Sequence, residues 1–430
     1  MKALLLALLV PALLAGQVAD SSARPISLDE AIRLAQRYAP LAVAARGQLE
    51  TSSEAVRASY AAFIPNLSVN AVRSYVSPTG GRVENGRLVN LPNWASTDGI
   101  SSNVNLFDGG RRFYNIGAAK ANVGAAEANE VTQRFTVALT VQQAFFNALA
   151  ARESEGAALA QLQQAQEQLK QANARVAAGA ATRSDSLRSV IAIGNAQLAL
   201  LTARNNLTAA NAALTRLVAS PFQVTASSTD TVGLATVATD SVALAALAAS
   251  GPAVHQAEAQ QIAARSFARA ARTPYLPSLD LSYGLSGSGS DIAYGLSNPF
   301  NYANSLRFTL SYPIFNQFQR EQARVQADVA AANAEASLRD ARLAAQQTLV
   351  QNLGSLHTAQ QRVSIQLASV AAAEEDLRVQ QQRYAVGAST LLDVLNSQTT
   401  LNQARAALIQ ARYDYRVAKA QLEALIGRPL

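Results

Sequence analysis

Apolar and polar residues alternate along four short segments of the chain, which is the pattern of β-strands with one apolar face. The clearest segment places leucines and a tyrosine at alternate positions from Leu279 to Leu285. A return segment repeats the alternation from Leu306 to Ile314, and weaker versions begin at Leu67 and end at Leu106. We therefore predict two β-hairpins, one over residues 65–107 and one over residues 277–315.

Long helical segments surround these hairpins. Helices of about 33 residues are predicted at Leu28–Tyr60 and Asp240–Arg272, each ending shortly before Pro65 or Pro277 leads into a strand. Runs of about 70 residues follow at Gly109–Ala178 and Gln317–Val386, and return helices of about 36 residues end at Leu217 and Leu425. A straight helix of that greater length spans about 105 Å, so the two shorter helices laid end to end would match it.

The return helices carry heptad repeats in which large apolar residues alternate with alanine, as in closely packed coiled coils. The large positions are Ile193, Leu200, Leu207 and Leu214 in the first helix and Val394, Leu401, Leu408, Tyr415 and Leu422 in the second.

The sequence consists of two tandem repeats of one unit. Residues around the first hairpin recur 212 positions later, and residues beyond it recur 208 positions later. The four-residue difference falls between Pro65 and Phe107. We predict a signal peptide at residues 1–23, a first repeat at 24–221, a linker at 222–239 and a second repeat at 240–430.

Composition and the N-terminus narrow the functional class. Charged residues are only 15% of the chain, and the net charge of +7 is spread along the helices, so a nucleic-acid partner is not expected. A basic, then apolar, then small-residue N-terminus predicts export, with cleavage after Ala19 or, as favoured here, Ala23. There is no cysteine for a disulfide or a lipid anchor.

Isolated strands of this kind need partners. A four-stranded sheet has two open edges whose backbone groups lipid cannot satisfy, so we expect chains to pool their strands, two giving eight or three giving twelve. The helices carry many uncharged Gln, Asn and Ser residues and narrow seams, which favours a hollow ring of helices with a wet lumen.

The chain resembles the TolC-like outer-membrane factors of Gram-negative efflux pumps and type I secretion systems. The resemblance rests on the duplication, on LFDGG at Leu106–Gly110, on RYAVGASTLLDVL at Arg383–Leu395, and on the TTLNQARAALIQARYDY tract that follows. It implies an α+β membrane protein: a homotrimer whose twelve-stranded β-barrel sits in outer-membrane lipid and continues as an α-barrel into the periplasm. The predicted linker would lie in the equatorial region of that fold.

The resemblance also implies roles for residues at the helix turns. A periplasmic adaptor would dock at these turns, and an RND or ABC transporter of the inner membrane would supply cargo. Asp393 and Asn396 would form the constriction, although an asparagine there departs from the doubled acidic pattern. Tyr384 and Asp185 would form the closed-state tether, while Ser389 replaces an arginine often found there. The docking turns comprise Arg175, Gly179, Arg383, Val386 and Gly387; the strand-to-helix junctions comprise Phe107, Gly109, Gly110 and Phe315; and the helix-to-strand prolines are Pro65 and Pro277.

Simpler interpretations stay open. Gly179 and Gly387 could serve only as helix C-caps, and Asp185 and Asp393 could serve only the helix dipole. His255 and His357 are isolated from other metal-binding residue types, and no catalytic grouping recurs, so neither a metal site nor an enzyme is expected. The main alternative function is an exported coiled-coil rod or adhesin-like protein. The residues do not reveal the cargo, the type of inner-membrane pump or the resting state of the channel.

Overall fold

The structure, a computed structural model, describes residues 23–75, 77, 81–84, 86–90, 94–227, 241–289 and 301–430. Almost all of the predicted signal peptide and most of the predicted linker lie outside these residues. The described part is dominated by helix, with one four-stranded sheet and two short strand pairs.

The described residues form eight α-helices. Two of 67 residues, α3 and α7, would each extend about 100 Å if straight. Two of 36 residues, α4 and α8, return beside them. The bounds are α1 Leu28–Tyr38, α2 Pro40–Ala61, α3 Arg111–Ala177, α4 Arg183–Val218, α5 Ser241–Ala249, α6 Pro252–Ala270, α7 Gln319–Ala385 and α8 Leu391–Ile426.

The two predicted 33-residue helices are each broken into two, so that prediction was wrong. The breaks fall before Pro40 and Pro252, and each proline occupies the first turn of a new helix. A proline lacks the N–H that would bond the preceding turn and restricts the residue before it, so a helix restarts there more easily than it continues.

The sheet contains the four predicted strands in the order β2–β5–β7–β8, all antiparallel. Their bounds are β2 Asn66–Tyr75, β5 Trp94–Phe107, β7 Ser278–Gly289 and β8 Asn301–Ser311. The two hairpins share one register, since Asn66 pairs with Asn103 and the equivalent Ser278 pairs with Ser311. Strands β2 and β8 are the edges.

Three features of the strands differ from prediction. Strand β8 ends at Ser311 rather than near Ile314, because Pro313 cannot donate to a ladder. The loop of the first hairpin holds a small hairpin of β3 Gly81–Glu84 and β4 Arg87–Asn90. A parallel pair, β1 Arg24–Ile26 with β6 Val224–Ala226, joins the start of the first repeat to the beginning of the predicted linker. Runs of three or four residues are too short for alternation to reveal them.

The helices form one layer in which strands and helices line up as four columns. Helix α3 packs against α2 and α4 and also against α6 and α8, while α7 packs against α5, α6 and α8. Each strand of the sheet adjoins one column: β2 follows α2, β5 leads to α3, β7 follows α6 and β8 leads to α7. Column 1 is β2, α2 and α4; column 2 is β5 and α3; column 3 is β7, α6 and α8; column 4 is β8 and α7.

The predicted heptad seam is buried along α8, whereas on α4 buried residues alternate with the half-buried Ile193 and Leu207. All five large heptad residues of α8, from Val394 to Leu422, are buried, as are Leu200 and Leu214 of α4. The alanines Ala196, Ala210 and Ala411 are buried too, so the helices approach closely at these levels. The predicted fold class, tandem helical hairpins with four strands in each chain, is confirmed.

Within the described ranges, no helix combines the length and apolar character that crossing a bilayer requires. The same residues include no cluster of three or more His, Asp or Glu side chains placed to hold a metal ion.

Candidate functional site

The free ends of the two helical hairpins carry the residues singled out in the sequence. Tip turn 1 is residues 175–182, between α3 and α4, and tip turn 2 is residues 383–390, between α7 and α8. In each, a glycine with positive φ follows the helix, 73° at Gly179 and 81° at Gly387. In tip turn 2 the Ala388 N–H donates to the Arg383 carbonyl at 2.8 Å, and the Gly387 N–H donates to the Tyr384 carbonyl at 3.2 Å. This is the Schellman arrangement, and tip turn 1 repeats it.

Each return helix restarts with a capping box. The Asp393 Oδ2 accepts from the Thr390 N–H at 2.9 Å and from the Thr390 hydroxyl at 2.7 Å, and the Ser389 hydroxyl donates to it at 3.2 Å. These bonds, with a smaller contribution from the charge of Arg383, hold the pKa of the fully exposed Asp393 carboxyl below its usual value. Asp185 and Thr182 form the same box at α4.

The other predicted gate and docking residues lie on the surface of the tips. Asn396 is exposed on α8, one turn beyond Asp393. Val386 is 80% exposed beside Gly387, and a side chain built at Gly387 would meet no atom within 4 Å. The Arg383 guanidinium donates to the Ala388 carbonyl of its own turn at 3.3 Å. A partner approaching the tip would therefore contact these side chains directly.

Arg175 joins the two tips. Its guanidinium donates to the carbonyls of Tyr384 and Ala385, both at 3.2 Å, and lies 4.4 Å from the centre of the Tyr384 ring. It thereby gives a partner to the Ala385 carbonyl, in the last turn of α7, and adds a second donor to the Tyr384 carbonyl, which already accepts from the Gly387 N–H. Sequence reasoning placed Arg175 in a docking turn and did not anticipate this contact, because the contact joins residues about 210 positions apart.

The predicted hydrogen bond between Tyr384 and Asp185 is not formed in this conformation. The Asp185 carboxylate instead accepts hydrogen bonds from the N–H and hydroxyl of Thr182, in its capping box. The Tyr384 hydroxyl is buried without a hydrogen-bond partner among the described residues. An unsatisfied buried hydroxyl is costly, and the tether between Tyr384 and Asp185 stays a prediction.

Above the tips, two buried polar contacts connect α3 to α8 that sequence reasoning missed. The amides of Gln164 and Gln398 bond to each other reciprocally, at 2.5 and 2.6 Å. Nearer the sheet, the Tyr413 hydroxyl donates to the Glu153 carboxylate at 2.7 Å, and burial with this bond raises the pKa of Tyr413. A glutamine among many glutamines gives no sequence signal of such a role.

The strand-to-helix junctions use the same backbone conformation in both repeats. Phe107 ends β5, and Gly109 and Gly110 follow with φ of 67° and 82°. The equivalent residues after Phe315 are Gln317 and Phe318, which adopt φ of 58° and 60° without being glycine. Such a conformation is strained for residues with a side chain, so the second junction is held by its surroundings. Pro65 and Pro277 each directly precede the first residue of a strand, β2 and β7 respectively.

Comparison with known proteins places these features in a family context. The sequence matches the family model described as "Outer membrane efflux protein" over residues 31–220 and 243–428. It is 28% identical over 335 residues to the pyoverdine export outer membrane protein OpmQ of Pseudomonas aeruginosa, covering 76% of this chain and 68% of that one.

Solved structures share the fold. The outer membrane protein VceC of Vibrio cholerae superimposes with a TM-score of 0.73 at 19% identity, covering 94% of this chain and 96% of that one. The open state of the MtrE outer membrane channel of Neisseria gonorrhoeae gives a TM-score of 0.75 at 20% identity, covering 93% of this chain and 89% of that one.

Proposed function

The chain belongs to the outer membrane efflux protein family, whose members form trimeric outer-membrane channels, and on that premise we propose that it is the exit tunnel of a tripartite pump. It is an outer-membrane protein with a periplasmic helical extension. In the proposed role it serves as a passive conduit. A periplasmic adaptor joins its tip to an inner-membrane RND or ABC transporter, either in drug efflux or in type I secretion.

The observation that carries this proposal is the continuity of the four columns. Both open edges of the sheet, β2 and β8, lie above the outer helices of the layer, α2 with α4 on one side and α7 on the other. Copies that join side by side, edge strand to edge strand and outer helix to outer helix, can close into a tube. Closure then pairs the backbone groups of every edge strand. Three copies of the four-stranded sheet give the twelve strands of the expected barrel.

The gate is proposed to lie at the tips. Three copies would bring six tip turns to one end of the tube, each presenting an exposed glycine turn and the start of a capped return helix. Asp393 supplies a negative charge at that end, and Asn396 lies one turn further along α8. Arg175 links the tips of one chain, so a conformational change that separates the two hairpins must break its two carbonyl bonds.

Reconstitution tests the proposed channel. Purified in detergent, the full chain is expected to run as a trimer in sodium dodecyl sulfate until it is boiled, because a closed barrel resists the detergent. Added to planar bilayers, it is expected to produce discrete conductance steps. A coiled-coil rod would dissociate without boiling and would produce no conductance. Those two results together would contradict the proposed channel and favour the coiled-coil rod.

Asp393→Ala is expected to raise single-channel conductance and to weaken block by a trivalent cation such as hexamminecobalt. The reason is that one carboxylate per copy would be lost from the narrow end of the tunnel. Since the folded pKa of Asp393 lies below the usual 3.8, the charge persists at neutral and mildly acid pH, and block should fade only as the pH drops through that folded value.

Asp393→Asn provides the matched control, because an amide oxygen can still accept the bonds from Thr390 while the charge is lost. If Asp393→Ala changes conductance and Asp393→Asn does not, helix capping alone explains the effect. If Asp393→Ala leaves both conductance and block unchanged, Asp393 is not part of the gate.

A further inference from the structure

Each of the four strands in the sheet carries one charged residue. These residues are Arg73 on β2, Asp98 on β5, Asp280 on β7 and Arg307 on β8. Because side chains alternate between the two faces of a sheet, strand position and pairing assign each charge to one face. The four charges divide evenly, so that each face carries one arginine and one aspartate.

One face of the sheet is apolar, and this is the face that meets lipid in a barrel. On β8 it presents Leu306, Phe308 and Leu310, which are 62%, 62% and 72% exposed in the single chain. Strand pairing places Arg73 and Asp98 on the same face, near the strand ends that lie away from the helices. Charged side chains at that height adjoin the polar surface of the membrane, where they cost little.

The opposite face is polar and lines the inside of the barrel. Within the described strands it carries Asn, Ser, Thr, Gly, Ala and one Val, apart from Asp280 and Arg307. Arg307 is exposed and is the longest side chain on that face. Both charged residues lie toward the strand ends that join the helices, where solutes from the helical tunnel would enter the barrel.

Asp280 and Arg307 are diagonal neighbours across β7 and β8. Ser282 pairs with Arg307 and lies two residues along β7 from Asp280, which sets the Cβ atoms of the two charged residues about 7–8 Å apart. The Asp280 carboxylate accepts from the Asn105 amide at 2.7 Å and from the Ser278 hydroxyl at 3.5 Å. Arg307 makes no hydrogen bond or ion pair with any residue that the structure describes. The carboxylate is therefore held against the wall, whereas the guanidinium can contact a solute.

A twelve-stranded barrel is narrow enough for such a side chain to contact what passes. Strands about 4.8 Å apart and tilted by about 40° give a ring roughly 24 Å across between backbones. Bond lengths of about 1.5 Å let an arginine reach about 7 Å from its Cα, so three copies of Arg307 at one height would narrow the passage to roughly 10 Å.

We propose that Arg307 is a contact point on the inner wall of the barrel for anionic groups of permeating cargo. A guanidinium matches a carboxylate or a phosphate with two parallel hydrogen bonds. The nearby Asp280 carboxylate accepts from a hydroxyl or ammonium group of the same solute, so cargo that carries both kinds of group fits best. The proposal rests on the proposed channel and adds a determinant of selectivity far from the tips.

The reaction rates of a single cysteine test the electrostatic potential at this wall, because the chain contains no cysteine of its own. Ser282→Cys places a thiol opposite Arg307 on the inner face. The trimer of the full chain, in a non-ionic detergent and about 0.1 M salt, is treated with anionic sulfonatoethyl methanethiosulfonate or with cationic trimethylammonioethyl methanethiosulfonate; a charge acts over about 10 Å at that ionic strength. The ratio of the two rates is normalised to that of Ser286→Cys, which lies on the same strand and face about 13 Å away. The normalised ratio is expected to favour the anionic reagent.

Neutralising each charge should change this ratio in opposite directions. Arg307→Gln in the Ser282→Cys chain is expected to lower the preference for the anionic reagent by about fivefold, since a partly screened charge roughly 6 Å away changes each rate about two- to threefold. Arg307→Lys keeps the charge and should keep the ratio. Asp280→Asn should raise the preference, while its amide oxygen can still accept from Asn105.

Arg73→Gln is the matched control, because it removes the same charge from the outward face of the same sheet. It should leave the ratio at Ser282→Cys unchanged. A ratio that is unchanged by Arg307→Gln, or that Arg73→Gln lowers equally, would overturn the role of Arg307. Reaction at Leu281→Cys with none at Ser282→Cys would show that the faces are reversed and would also overturn it.

Unboiled gels separate this proposal from the proposed function. If the trimer resists sodium dodecyl sulfate and Arg307→Gln leaves the ratio unchanged, the channel stands and the contact point is rejected. Loss of the trimer from the unmodified chain rejects the channel itself, and the contact point falls with it.

Discussion

Gly251→Ala is expected to destabilise the helical layer more than its single added methyl group suggests. A Cβ at this position would overlap the Leu425 carbonyl oxygen and lie 3.2 Å from the Ala248 carbonyl oxygen. Both are backbone atoms that cannot move aside as a flexible side chain would. Overpacking of this kind costs about 1–3 kcal/mol, and here it acts where α6 meets the end of α8 in column 3. The midpoint of thermal loss of helical circular dichroism should fall by several degrees.

The control isolates the clash from the general effect of replacing glycine. Gly156 lies within α3, and a Cβ there would meet no atom within 4 Å. Gly156→Ala should leave the midpoint unchanged or raise it, since alanine favours a helix interior by up to about 1 kcal/mol. Gly251 has φ of −70°, so strain of the backbone does not enter the comparison. Equal midpoints for Gly251→Ala and the unmodified chain would show that the two column elements do not press together as described.

The contact between α6 and α8 shows which features the sequence predicts and which it does not. Heptad spacing predicted the buried seam of α8 through Leu408 and Leu422, because burial follows directly from periodicity on a long helix. The breaks before Pro40 and Pro252 were missed, although proline at the first turn of a helix is a recognisable start signal. The apolar pattern continues on both sides of each break, which masks the change of helix.

Other features follow only from the packed chain. Gln317 and Phe318 adopt the conformation of Gly109 and Gly110, yet nothing in their side chains indicates a positive φ. The Gln164–Gln398 pair joins residues 234 positions apart, and its partners are two of many glutamines. Local pattern thus predicts which element forms, whereas the contacts between hairpins depend on how the two repeats lie side by side.

Gly387→Asn is expected to reduce crosslinking to the proposed periplasmic adaptor by about tenfold, the effect of roughly 1.4 kcal/mol lost from binding. Asparagine tolerates the left-handed conformation of 81° and keeps the N–H that bonds Tyr384, so tip turn 2 should survive. Its side chain would enter open space beside the exposed Val386 and obstruct a partner that lies close to the backbone. The measurement is site-specific photocrosslinking of adaptor in cells that express the variant.

Thermal unfolding and the unboiled trimer decide whether Gly387 serves docking or only the turn. With Gly387→Asn, both should match the unmodified chain, while Gly387→Pro, which removes the N–H and requires a φ near −65°, should disturb tip turn 2 itself. Reduced adaptor crosslinking with an intact trimer and an unchanged midpoint assigns the exposed face of the turn to docking. Normal adaptor crosslinking by Gly387→Asn, together with a defect in Gly387→Pro, would leave Gly387 as a helix cap without a partner.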